Sequence, residues 1–134
     1  PEGKRAQNMN DRSKEEYLKS GLTTCGVIFF LICPLGISWP AGGQWHGGEG
    51  RYYLHMICGV YAVLGFFLIR AARDPAANKS LIDFTVWSSV VHAGIMAMQA
   101  SGDPHESGHL AGAVPALLLV AIALWYLSPR KTGA

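Results

Sequence analysis

The sequence predicts an all-α protein, a four-transmembrane-helix antiparallel bundle, and three observations carry that prediction. Of 134 residues, 50% are hydrophobic and only 15% are charged, and the mean hydropathy is +0.21. The apolar residues gather into four blocks, at 20–39, 53–71, 81–100 and 109–127. Each is close to the ~20 residues that carry an α-helix across the hydrocarbon of a bilayer. A soluble helix of that length shows a polar face, and these blocks show almost none. The third observation is where the charges fall. Lys4, Arg5, Arg12, Lys14 and Lys19 precede span one, Arg70, Arg73 and Lys79 lie between spans two and three, and Arg130 and Lys131 follow span four. Arg51 alone lies on the other side, so the positive-inside rule puts both termini in the cytoplasm of a bacterial inner membrane.

The elements follow in order. Residues 1–12 read as a polar, disordered tail, 13–128 as the four-helix transmembrane domain, and 129–134 as a short cytoplasmic tail. Ser13-Lys14-Glu15-Glu16 has the form of a capping box, in which a serine oxygen and a glutamate three residues on satisfy free backbone N–H groups. Tyr17 falls near the inner interface, and Pro34 removes one backbone hydrogen bond and so predicts a kink. A basic start before an apolar run also suits a signal peptide, but the run is long for one and is read as a retained span. The outer loop 40–51 is rich in glycine, and its Trp45 suits an anchor at headgroup depth. After Arg70, Asp74-Pro75 makes a turn, and Ser80 with Asp83 repeats the capping logic at the start of span three. Ser89/Ala93/Ala97 in span three and Gly108/Gly112/Ala116 in span four are small residues at four-residue spacing, which permits close helix contact. No repeat relates the two halves, as a duplicated transporter would require.

Composition excludes some functions. A net charge of +2, dispersed along the chain, predicts no nucleic-acid partner. Cys25, Cys33 and Cys58 all lie in spans; an odd count with no CxxC pair speaks against a disulfide framework or zinc knuckle. Cys33 and Cys58 fall at similar depth on neighbouring spans, with ordinary packing favoured over a functional thiol pair.

The five histidines, His46, His55, His92, His105 and His109, all fall in the outer half of this topology, with Glu49, Gln99, Asp103 and Glu106. Span three carries Thr85, Ser88/Ser89, His92 and Gln99 as a polar stripe, and intramembrane polar groups normally turn inward to find partners. A haem shared by His55 and His92 is disfavoured, because the two differ in depth by roughly 6–8 Å at 1.5 Å per residue. A single histidine suffices to ligate a chlorin or to hydrogen-bond a quinone. The competing and favoured reading of His92 is a structural hydrogen bond, to Ser88 or to another span. The candidate cofactor-binding residues are therefore His92, Gln99, His55 and His109, for a quinone, a pigment or a transition metal.

His105-Glu106-Ser107-Gly108-His109 fits H-E-x-x-H, the pattern by which zinc hydrolases set two ligands and a base on one helix face. Capping accounts for the same residues: Asp103 suits the N-cap, Pro104 the first helical position, and Glu106 the third. Gly108 weakens the turn, and a third ligand would have to come from His46, Glu49 or His55. Zinc hydrolysis is the remote alternative.

At AARDP (71–75), FTVWSSVVHAGIMAMQA (84–100) and GHLAGAVPALLLV (108–120), the chain resembles a family of uncharacterised small bacterial four-helix membrane proteins, itself loosely similar to the DoxX-like group. The resemblance implies the four-span architecture and no activity. His92 and His109 fall within the matching stretches and His105 outside them. Small size, short loops and small-residue packing faces lead to the main expectation. It is an accessory, stabilising or assembly subunit of a larger inner-membrane complex, energy-converting or oxidoreductase, with the lipid bilayer and other membrane subunits as partners. A membrane redox or small-molecule-binding protein is the alternative, and an enzyme is the less favoured outcome.

Overall fold

The computed structural model describes residues 2–38, 50–102 and 108–128. Five helices follow one another: α1 (Glu2–Ser38), α2 (Gly50–Ala71), α3 (Lys79–Gly102), α4 (Gly108–Ala111) and α5 (Ala113–Leu127). The protein is all-α, with no strand among the described residues, and four long helices pack side by side. α4 and α5 together fill the fourth expected block. The break between them falls at Gly112 and has a covalent cause in Pro115. Its ring lacks an N–H and clashes with the carbonyl four residues back, at Ala111. The ladder of α5 restarts as Ala116 N–H donates to Gly112 O at 3.2 Å.

α1 differs most from expectation. It begins at Glu2, so residues 2–12, expected as a tail, continue the helix. Glu2, Lys4, Arg5, Ala6, Gln7, Met9 and Arg12 are good helix formers and outweigh Gly3, Asn8, Asn10 and Asp11, and the segment holds no proline. Ser13 consequently lies inside a helix, where its hydroxyl donates back to Met9 O at 3.0 Å instead of capping. Glu15 pairs with Lys19 at 2.6 Å. α1 continues past Pro34 to Ser38.

Complementary spacing builds the core. Leu18, Leu22 and Phe29 of α1, Leu68 of α2, Ile82 and Val86 of α3, and Ala121 and Leu124 of α5 form one buried cluster. Within α1 these residues recur at four- and seven-residue steps, which holds them on one face. A smaller cluster joins Ala93 of α3 to Val114 and Leu117 of α5. α1 packs along α2 and α3 along α5; α1 also reaches α5, while α2 and α3 touch at few points. Gly26 meets Gly65 and Phe29 meets Tyr61, so the contacts advance along α1 as they recede along α2 and the two helices run antiparallel.

The closest approach is between α1 and α2 at Gly26 and Gly65. A Cβ added to Gly65 would stand 2.5 Å from Gly26 O and 2.7 Å from Phe30 N. Only glycine lets the two backbones lie so near. On α3 the expected small-residue face holds, with Ser89 and Ala93 buried. In the fourth block it does not: Gly112 and Ala116 are exposed, and α5 instead buries Val114, Leu117, Ala121 and Leu124.

The α2–α3 turn forms where Asp74-Pro75 predicts it. Asp74 N–H donates to Ala71 O at 3.1 Å, and Asp74 Oδ1 accepts from Ala77 N–H at 3.1 Å. Because α3 starts at Lys79, Ser80 is already helical and does not cap. Asp83 receives the Lys79 ammonium, at 2.7 and 2.6 Å to its two oxygens.

The ends carrying these charges meet. Lys14 Nζ of α1 sits 5.4 Å from the centre of the Tyr126 ring of α5. The Lys19 ammonium is held above its usual range, chiefly by its hydrogen bond to Glu15, with Glu16 and the α2–α3 turn's Asp74 adding to it. Away from that end the outward faces are apolar: Val60 on α2, Trp87 and Met98 on α3, and Leu119 on α5 are 63%, 68%, 74% and 67% exposed. Among the described residues, one helix, Lys79–Gly102, is long and apolar enough to cross a membrane; His55–Ala71 and Ala113–Leu127 are shorter apolar stretches.

Candidate functional site: a tyrosine–histidine pair in the α2–α3 seam

His92 lies thirteen residues into α3, about 20 Å from its first residue at 1.5 Å per residue. Thr85, Ser88 and His92 share a face through three- and four-residue steps. The two hydroxyls are absorbed locally: Thr85 donates to Leu81 O at 2.8 Å and Ser88 to Thr85 O at 3.2 Å. Such back-bonding satisfies a hydroxyl within its own helix. An imidazole is too large for that, so His92 reaches across to α2.

There it meets Tyr61, whose hydroxyl lies 3.0 Å from His92 Nδ1. The rings stand edge to face, with centroids 5.7 Å apart. On its other side Tyr61 meets Phe29 of α1 in a second edge-to-face contact at 5.0 Å. Three helices thus contribute to one aromatic row, a geometry favourable beyond area burial alone. Tyr61 and His92 are both half-buried. The structural hydrogen bond expected of His92 therefore exists, and its partner is on another helix rather than Ser88.

The remaining candidates are not gathered here. His55 and Gln99 are exposed; His55 precedes Tyr61 by six residues on α2 and Gln99 follows His92 by seven on α3. His109 lies on α4, with its side chain outside the described set. His46, Glu49, Asp103, His105 and Glu106 fall outside the described residues, as does most of the HESGH stretch. Cys58 is buried and Cys25 half-buried, and the Cys33 side chain is outside the described set. Among the described residues no three His, Cys, Asp or Glu side chains come together as a metal site would need.

Sequence reasoning passed over Tyr61. The available signal was a tyrosine in the middle of an apolar block, with a hydroxyl obliged to find a partner. The outer face also holds an apolar groove of about 190 Å³ between α3 and α5, lined by Val86, Trp87, Val90, Ala121, Ile122 and Trp125. It presents no reactive group.

No curated protein and no solved structure matches the chain. One family model does, and it runs over residues 13–133, taking in all of the core and both members of the aromatic pair. That breadth agrees with the expected kinship to an uncharacterised family: the chain belongs to DUF6632, a family of unknown function.

Proposed function

We propose that this chain is a four-span integral membrane protein, with both termini in the cytoplasm of a bacterial inner membrane. It serves there as an accessory, stabilising or assembly subunit of a larger energy-converting or oxidoreductase complex. The observation that supports it best is the outer surface. The helices turn Phe66, Phe67, Trp87, Ile95, Leu119 and Ile122 outward, while the described charges, Arg51 apart, cluster at one end. Large apolar side chains exposed on every long helix are unusual on a soluble monomer. In lipid, or against neighbouring helices, they cost nothing. The looser DoxX-like resemblance adds only the same size and span number.

Extraction from the native membrane in mild detergent, followed by native mass measurement, tests the role. Stable co-purification with larger membrane subunits is the expected result, and a strictly monomeric or homo-oligomeric particle would end the accessory-subunit reading. Reporter fusions at the two termini test the topology: both must report the cytoplasmic side.

A second reading has its own support in the Tyr61–His92 pair. A polar pair held in mid-span suits a membrane protein that binds a small molecule, a quinone, pigment or metal, beside its outer histidines. Intramembrane ionisable residues are costly and usually functional.

A further inference from the structure

The Tyr61–His92 pair carries more hydrogens than its one bond can use. Tyr61 brings one O–H to the pair, and a neutral imidazole brings one N–H. A single hydrogen bond joins them, 3.0 Å between Tyr61 Oη and His92 Nδ1, and it uses one of the two. One donor is therefore always left over, and protonating the ring would only add another. If Tyr61 donates to Nδ1, the ring proton sits on Nε2 and points away from Tyr61. If Nδ1–H donates instead, the spare hydrogen is on Tyr61, beside the Phe29 ring, with no acceptor among the described residues. The first arrangement leaves only the rim of the ring unsatisfied, and it is the one that a partner approaching from the seam can complete. His92 is only half-buried, so its ring can be approached from outside the bundle.

In hydrocarbon no water is at hand, and an unsatisfied donor costs several kcal/mol. The α2–α3 seam, where the two helices touch at few points, therefore calls for an acceptor. A metal is the wrong occupant. It needs the Nε2 lone pair, which forces the tautomer that strands the Tyr61 hydrogen, and no three-ligand cluster stands near among the described residues. A carbonyl oxygen is the right one, and the Phe29–Tyr61 edge offers a flat aromatic flank for a planar ring. We propose that the α2–α3 seam binds a membrane-dissolved carbonyl compound of the quinone type, whose oxygen accepts a hydrogen bond from His92 Nε2–H beside the ring of Tyr61. This rests on the membrane and ligand-binding readings above.

The test uses the full chain in lipid nanodiscs with decyl-ubiquinone labelled with ¹³C at its carbonyls, followed by infrared spectroscopy and titration. One carbonyl stretch is expected to fall in frequency relative to the probe in empty nanodiscs, and ¹⁵N-histidine spectra are expected to show the His92 proton on Nε2. His92→Phe removes the shifted band and weakens binding by about tenfold or more, the worth of one hydrogen bond in a dry site. Tyr61→Phe, which keeps the aromatic row, weakens binding and lets the ring proton redistribute between the two nitrogens. It supplies a second variant should His92→Phe not fold. A probe that partitions as into empty nanodiscs, or a shifted band that survives His92→Phe, overturns the proposal. So does a His92-dependent association with another polypeptide that the probe leaves unchanged, since the spare donor then belongs to a protein partner. A carbonate wash separates the two levels. Release of the chain removes the membrane reading, whereas retention without a carbonyl shift removes this inference alone.

Discussion

Gly65→Ala tests the packing of the bundle at its tightest point. The added Cβ would stand 2.5 Å from Gly26 O, and about 0.9 Å of retreat is needed to restore an ordinary contact of 3.4 Å. Both nearest atoms, Gly26 O and Phe30 N, are backbone, so no side chain can rotate away and α1 must move as a body. Movement of that size also loosens the Phe29–Tyr61 contact at 5.0 Å. Overpacking costs roughly 1–3 kcal/mol, and a backbone clash falls at the upper end. Replacing glycine by alanine in a helix returns up to about 1 kcal/mol. The net expectation is a loss of about 1–2 kcal/mol, and of clearly more for Gly65→Leu. Gly59→Ala and Gly94→Ala are the controls, because nothing lies within 4 Å of either added Cβ; each is expected to be neutral or stabilising by about 0.5–1 kcal/mol. Reversible unfolding in mixed micelles, followed by circular dichroism, measures all four. Gly26→Ala with Gly65→Ala should cost less than the sum of the single changes, since the first opens the space the second needs. If Gly65→Ala unfolds like the parent, or Gly94→Ala is as damaging, the two helices do not cross where the structure has them.

Three further outcomes are expected. Leu68→Ala, at a side chain 0% exposed, should destabilise by roughly 2–5 kcal/mol, whereas Phe67→Ala, 46% exposed on the outer face, should leave micellar stability nearly unchanged; equal losses would mean that the inward face has been misidentified. Tyr61→Phe should cost about 1–3 kcal/mol, because it leaves a half-buried imidazole nitrogen without its hydroxyl, and the same unfolding experiment reads it. Lys19 should titrate above free lysine by NMR, and Glu15→Gln should bring it down, since the hydrogen bond to Glu15 is the main cause of the rise. The sign is that of a raised basic group: its contribution is complete below the unfolded-state value near ~10.4 and is lost as pH climbs through the folded-state one. A Glu15→Gln variant with an unchanged Lys19 titration would refute the pairing.

Some of this was legible in the residues alone. The Asp74-Pro75 turn was, because proline and a short acidic side chain impose a turn locally, whatever surrounds them. The start of α3 was not. Ser80 and Asp83 have the right spacing for a cap, but Asn78 already accepts the N–H groups of Leu81 and Ile82, and Asp83 is taken by Lys79. Two signals of equal local strength competed, and the chain geometry of the preceding turn chose between them. The break at Gly112 was in principle readable from Pro115, whose missing N–H is a covalent fact.

What the sequence determined by itself was the all-helical class, the length and number of the apolar blocks, and the chain segments in which most charges gather. These depend on hydropathy, helical rise and local turn chemistry, which are properties of neighbouring residues. The tertiary structure decided which helices pair, that Gly26 meets Gly65, and that His92 is answered by Tyr61 thirty-one residues away. Such contacts depend on the rotation and register of whole helices about their axes. In an apolar helix with little polar face to mark the inside, only the packing of all four together fixes them.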